Sequence, residues 1–100
     1  MQIVITPELA AHMRQVKKPN IIVEIAQSDK SDFEITELHV HLIREKDARF
    51  FIEKKRFHGL PIEGGQLLLP NYRLEYDETL TFGLKKILFF NQVTYQGIRL

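Results

Sequence analysis

The sequence predicts an α+β fold: one N-terminal α-helix over about residues 7–18, followed by a small compact domain made mostly of β hairpins. Three observations carry this. A single segment near the N-terminus has helical period, the segments after it alternate apolar and polar residues at period two, and no repeated strand–helix–strand rhythm follows. With 100 residues, 44% hydrophobic and 27% charged, one globular domain spanning 1–100 is expected.

Taken in order, Ile3-Val4-Ile5 is a short β-prone segment. Thr6-Pro7-Glu8 then supplies a capping hydroxyl, a proline at the first helical position and an acid in the first turn. Leu9, Met13 and Val16 recur at i, i+4 and i+7 to form one apolar stripe, and Pro19 ends the segment, which is expected to be the one long helix. Beyond it Ile21, Val23 and Ile25 fall on one side of a strand, with Ile22, Glu24 and Ala26 opposite. The six polar residues Gln27 to Asp32 read as an exposed connection.

A second strand is the clearest in the chain: Thr36, Leu38, Val40 and Leu42 alternate with Glu37, His39, His41 and Ile43. Arg44 to Asp47 reads as a charged turn. Residues 48–54 read as a third β segment, with Phe50 and Ile52 inward, that pairs with residues 36–43 as a hairpin. Gly59, Pro61, Gly64, Gly65 and Pro70 then break the pattern, leaving Leu60 to Ile62 and Leu67 to Leu69 as short pieces. Thr79 to Leu84 is a further strand, Lys85-Lys86 an exposed corner before Ile87 to Phe90, and Gln92 to Gln96 the last strand.

Two stretches resemble a known family: Ile3 to Leu9 at the start, and Leu80 to Leu84 followed by Ile87 to Ile98 at the end. They are similar to the ends of HesB-like domains, the superfamily of the A-type iron–sulfur carriers. The resemblance implies a strand and a helix opening a compact set of β hairpins, and a link to iron–sulfur cluster biosynthesis. Members that carry clusters place cysteines after the second strand or near the C-terminus. This chain has no cysteine, so it resembles a divergent member without the cysteine ligands, and no family ligand carries over to any of its positions.

The missing thiols also exclude thiolate nucleophiles, disulfides and cysteine-based zinc sites. Soft sulfur ligands are what hold iron–sulfur clusters, so cluster carriage by this chain's own residues is not expected, and no cofactor is assigned. Fourteen Lys and Arg against thirteen Asp and Glu give a net charge of +1, too small a field to imply a polyanionic partner. No stretch approaches the roughly 20 apolar residues of a membrane span, and nothing reads as a secretion signal, so a cytoplasmic protein without a membrane partner is expected.

Three sets of residues invite a functional reading. His39 and His41 project from one face of a strand, with Glu37 on the same face; two imidazoles at i and i+2 plus a carboxylate are a candidate transition-metal site, which His58 would extend if its strand packed nearby. The run Arg49 to His58 interleaves Phe50, Phe51 and Phe57 with Lys54, Lys55 and Arg56, as single-stranded nucleic-acid platforms do, but it lacks the glycine-rich aromatic signature of an RNA-recognition strand. Nucleic acid is therefore only an alternative partner. Ile43, Phe51, Phe89 and Phe90 are too many apolar groups for one small core under strict alternation, which marks Phe51 and Phe89 as contact residues for a second copy or a protein partner. No serine elbow, phosphate loop or separated carboxylate pair is present, so the expectation is a non-catalytic protein-interaction or ligand-binding module.

Overall fold

The protein is described by a computed structural model covering residues 1–30 and 33–100. Its elements run β1 (Gln2–Ile5), α1 (Pro7–Val16), β2 (Asn20–Lys30), β3 (Phe33–Ile43), α2 (Glu45–Lys55), β4 (His58–Ile62), β5 (Gly65–Leu69), β6 (Glu75–Ile87) and β7 (Phe90–Arg99). The strands form two sheets, one in the order β1-β6-β7 and one in the order β3-β2-β5-β4. β1 lies parallel to β6 and β2 parallel to β5, while β2–β3, β4–β5 and β6–β7 are antiparallel.

The first helix follows its sequence signals. Thr6 Oγ1 accepts from the Leu9 N–H at 3.3 Å, Pro7 occupies the first turn, and Leu9 and Met13 are buried. The helix stops at Val16, two residues short of the expected end, because Lys17 turns into the left-handed region (φ 58°) and Lys18 N–H closes back on the Met13 carbonyl at 3.1 Å. Leu9 and Met13 join Ile21, Val23, Leu67, Leu69, Leu80, Phe82 and Ile98 in the main apolar cluster. Full burial of a Leu or Phe side chain contributes about 1.5–3 kcal/mol, so this cluster is the principal source of stability.

Residues 45–55 correct the sequence reading. They form helix α2, so the charged turn at 44–47, the strand at 48–54 and its hairpin with 36–43 do not exist; β3 pairs with β2 instead, Asn20 opposite Ile43 and Glu24 opposite His39. Alternation suggested a strand because Phe50-Phe51-Ile52 is a β-prone run. What wins is the i, i+3, i+4 spacing of Ala48, Phe51 and Ile52, with Glu45 and Asp47 in the first turn and Lys54 and Lys55 in the last, where they complement the helix dipole. Phe50 points outward, half exposed, rather than inward.

Because α2 lies on the outer face of the four-stranded sheet, both faces of β2 are covered at its start. Ile21, Ile22 and Val23 are all fully buried, Ile22 in a second cluster with Ile43, Ala48 and Leu68. Asn20, also fully buried, ties this corner together: its Oδ1 accepts from Gln66 N–H at 2.8 Å and its Nδ2 donates to Glu45 Oε2 at 3.2 Å. The neighbouring Gly65 admits no side chain, since a Cβ there would lie 2.0 Å from the Pro19 carbonyl oxygen.

Several boundaries also move. Gln27 to Lys30 belong to β2 rather than to a connection, while Ser31 and Asp32 lie outside the described residues. The short pieces around Leu60 and Leu67 are the paired strands β4 and β5. Lys85 and Lys86 are strand residues, not a corner; the β6–β7 hairpin turns at Leu88-Phe89, and β7 extends from Phe90 to Arg99.

Candidate functional site

Of the sequence-predicted residues, Glu37, His39, His41 and Phe51 gather on the outer face of the four-stranded sheet, beside α2. Alternation along β3 sets Glu37, His39 and His41 on this face, and the antiparallel register brings Glu24 of β2 directly opposite His39. Two pairs result. His41 Nε2 lies 2.8 Å from Glu24 Oε2, and His39 Nε2 lies 3.5 Å from Glu37 Oε2, a loose contact between two exposed side chains.

Each imidazole thus turns to its own carboxylate, and among the described residues no three His, Asp or Glu side chains converge in a metal-holding group. His58 does not join them. It sits on β4, separated from β3 by β2 and β5, a distance of roughly 14 Å at the usual strand spacing. Glu24 is the member that sequence reasoning missed; its place opposite His39 depends on the strand register, which no local pattern announces.

A groove of about 430 Å³ runs between this face and the C-terminal half of α2. Phe51, Phe57 and Tyr72 supply aromatic walls, and Glu24, His39 and Lys55 stand at its polar side. Phe51 is half-buried: its ring meets Phe57 edge-to-face at 5.2 Å and Phe50 at 5.7 Å, and it packs against the second apolar cluster. The surplus apolar character that singled out Phe51 is therefore partly absorbed by the helix and partly turned into groove wall. The basic run Lys54, Lys55 and Arg56 ends a helix, so the interleaved aromatics of 49–58 do not form a flat strand platform.

Phe89 lies elsewhere. It is the second residue of the β6–β7 turn and is 100% exposed, flanked by Leu88 and Phe90. At the opposite end of that hairpin Arg99 holds Asp77 at 2.9 Å and Glu75 at 3.6 Å; the guanidinium keeps the Asp77 carboxyl below its ordinary pKa, mainly through the hydrogen bond between them. No helix among the described residues is long and apolar enough to cross a membrane.

No protein-family model matches the chain, and no curated protein matches it. Among solved structures it is similar to the crystal structure of Escherichia coli SufA, a protein involved in the biosynthesis of iron–sulfur clusters. The match covers 96% of this chain and 80% of that one, with a TM-score of 0.54 and 11% sequence identity. At that identity the likeness concerns the fold, and the similarity read at the two ends of the sequence holds at that level: this chain has a SufA-like α+β fold without a single cysteine.

Proposed function

We propose that this chain is a non-catalytic binding module built on the SufA-like fold, that it acts in iron–sulfur metabolism by contact with a protein partner, and that the contact surface is the groove beside α2. The observation that carries the reading is the groove itself. Three aromatic residues, Phe51, Phe57 and Tyr72, line a concavity whose polar side carries a cation, Lys55, and an anion, Glu24. Such a surface receives an apolar side chain of the partner and fixes its orientation through charged neighbours. The non-catalytic assignment is supported by the open placement of the His–Glu pairs on a sheet face, which provides no water-excluding enclosure for acid–base work.

The test is a photo-crosslinking amino acid at Tyr72, which is about half exposed and whose replacement leaves the core intact. In extract from the source cells one dominant protein adduct is expected. It should disappear when Lys55→Glu reverses the rim charge while the unfolding curve stays that of the wild type. No adduct, or one indifferent to Lys55→Glu, defeats the reading.

The placement of Glu24 supports a second reading. His39, His41 and Glu24 adjoin on neighbouring strands, so a rotation of side chains would bring two imidazoles and a carboxylate onto one divalent transition metal.

A further inference from the structure

The distal part of the β6–β7 hairpin contributes no residue to either apolar cluster. Leu84 and Val93, paired across the two strands, are the last residues of this hairpin to pack against the main apolar cluster. Beyond them three residues of each strand and the turn continue outward by about 10 Å at the usual rise per residue. At the apex Leu88 is 84%, Phe89 100% and Phe90 58% exposed, and Leu88 holds a left-handed backbone (φ 51°) that non-glycine residues seldom adopt. Three consecutive large apolar side chains on a projecting tip are an expensive arrangement in water, and neither apolar cluster includes them.

The charge around the tip is one-sided. Lys85 and Lys86 are successive strand residues, so they emerge on opposite faces of the hairpin, and both are exposed. Neither has a carboxylate partner among the side chains described, which exclude those of 27–35, and the sequence contains no acid after Glu78. The tip is also a small surface for holding two copies together. At about 150–250 Å² for each fully covered side chain, the six of two apices would bury roughly 900–1,500 Å² at most, at or below the lower part of the roughly 1,200–2,000 Å² of a stable interface, and Phe90 is already partly covered.

We propose that this hairpin tip docks on the surface of a lipid bilayer bearing anionic headgroups. Leu88, Phe89 and Phe90 enter the boundary between headgroups and acyl chains, and Lys85 and Lys86 meet the lipid phosphates from both sides of the hairpin. Interfacial insertion reaches about 5–10 Å, which matches the length of the free arm. A bilayer accepts an apolar apex from every side at once and supplies the anions that the basic collar lacks. The surface shares no residue with the groove beside α2, so the two proposals stand or fall separately.

The chain has no tryptophan, so Phe89→Trp places a unique fluorophore at the apex. With vesicles of equimolar phosphatidylcholine and phosphatidylglycerol its emission is expected to shift to the blue and to be quenched by brominated acyl chains. In co-sedimentation with the same vesicles, Phe89→Ser should weaken partitioning of the protein about tenfold or more. Replacing Lys85 and Lys86 by serine should weaken it about fivefold per lysine and erase the preference over phosphatidylcholine alone. Because Phe89 is fully exposed, the serine variant keeps the wild-type unfolding midpoint, which excludes misfolding as the cause. An unshifted tryptophan, or a serine variant that sediments like the wild type, overturns the proposal. So does absence of vesicle binding together with a concentration-dependent rise in mass that Phe89→Ser removes, since the tip would then join copies of the protein.

Discussion

Replacing Asn20 by alanine removes both halves of the buried junction between β2, β5 and the start of α2. The Gln66 N–H loses its acceptor at 2.8 Å, and a partly buried backbone donor left without a partner costs about 1–3 kcal/mol. The bond from Nδ2 to Glu45 Oε2 at 3.2 Å goes as well, but Glu45 is exposed and water replaces the donor, so this half contributes about 1 kcal/mol at most. The sum is a loss of about 1–4 kcal/mol. For a domain of this size the melting temperature should fall by about 4–8 °C for each kcal/mol. Urea unfolding followed by far-ultraviolet circular dichroism reads the free energy directly, provided the slope with denaturant stays constant. Glu45→Gln keeps an acceptor for Nδ2 and should change stability by less than about 1 kcal/mol. An Asn20→Ala variant within about 0.5 kcal/mol of the wild type would falsify the reasoning, because it would mean that the junction is already satisfied by solvent.

Other expectations are as direct. At Gly97 the backbone has φ +95°, and an added Cβ would approach the Thr79 carbonyl oxygen to 2.6 Å, so Gly97→Ala should destabilise by about 2 kcal/mol or more in the same unfolding assay; a neutral result contradicts the strand geometry. Asp77 should titrate below the usual aspartate range by nuclear magnetic resonance and return to it in Arg99→Gln. Since its folded pKa is depressed, the contact stabilises the fold above the unfolded aspartate pKa and is lost as pH falls through the folded one. An unchanged Asp77 titration in Arg99→Gln would discard that cause. Zinc titrated into chelator-stripped protein should bind below micromolar if His39, His41 and Glu24 reorient onto one ion, with His39→Ala and His41→Ala each weakening it; binding unaffected by the double substitution rules the site out.

How much of this was legible in the sequence depended on whether the deciding interaction was local. Helix α1 is announced by Thr6, Pro7 and Pro19, all acting within a turn of the chain, and its buried Leu9 and Met13 follow from spacing alone. Helix α2 was missed because Phe50-Phe51-Ile52 satisfies two periods at once. The missing clue sat on a strand much earlier in the chain: Ile21, Ile22 and Val23 are apolar in succession because β2 is covered on both faces, which requires something to lie over Ile22. The parallel pairings of β1 with β6 and β2 with β5 join segments far apart in sequence and carry no local mark. At the candidate site the shared face of Glu37, His39 and His41 was readable from alternation. Glu24 and the aromatic wall of Phe57 and Tyr72 were not, since strand register and helix placement bring them there.

The way α2 is fastened gives the groove a dynamic character. Only Ala48 of this helix is fully buried, its N-cap Arg44 makes no side-chain capping bond, and among the described residues the cluster beneath it consists of Ile22, Ile43 and Leu68, smaller than the main one. Helix α2 is therefore the natural first unit to open in subglobal unfolding, and its amides should exchange with deuterium well before those of the central strands β2 and β6. Phe51 and Lys55 travel with it, so groove and helix share one equilibrium: whatever fills the groove must slow amide exchange along 45–55, and whatever loosens the helix weakens the ligand in equal measure.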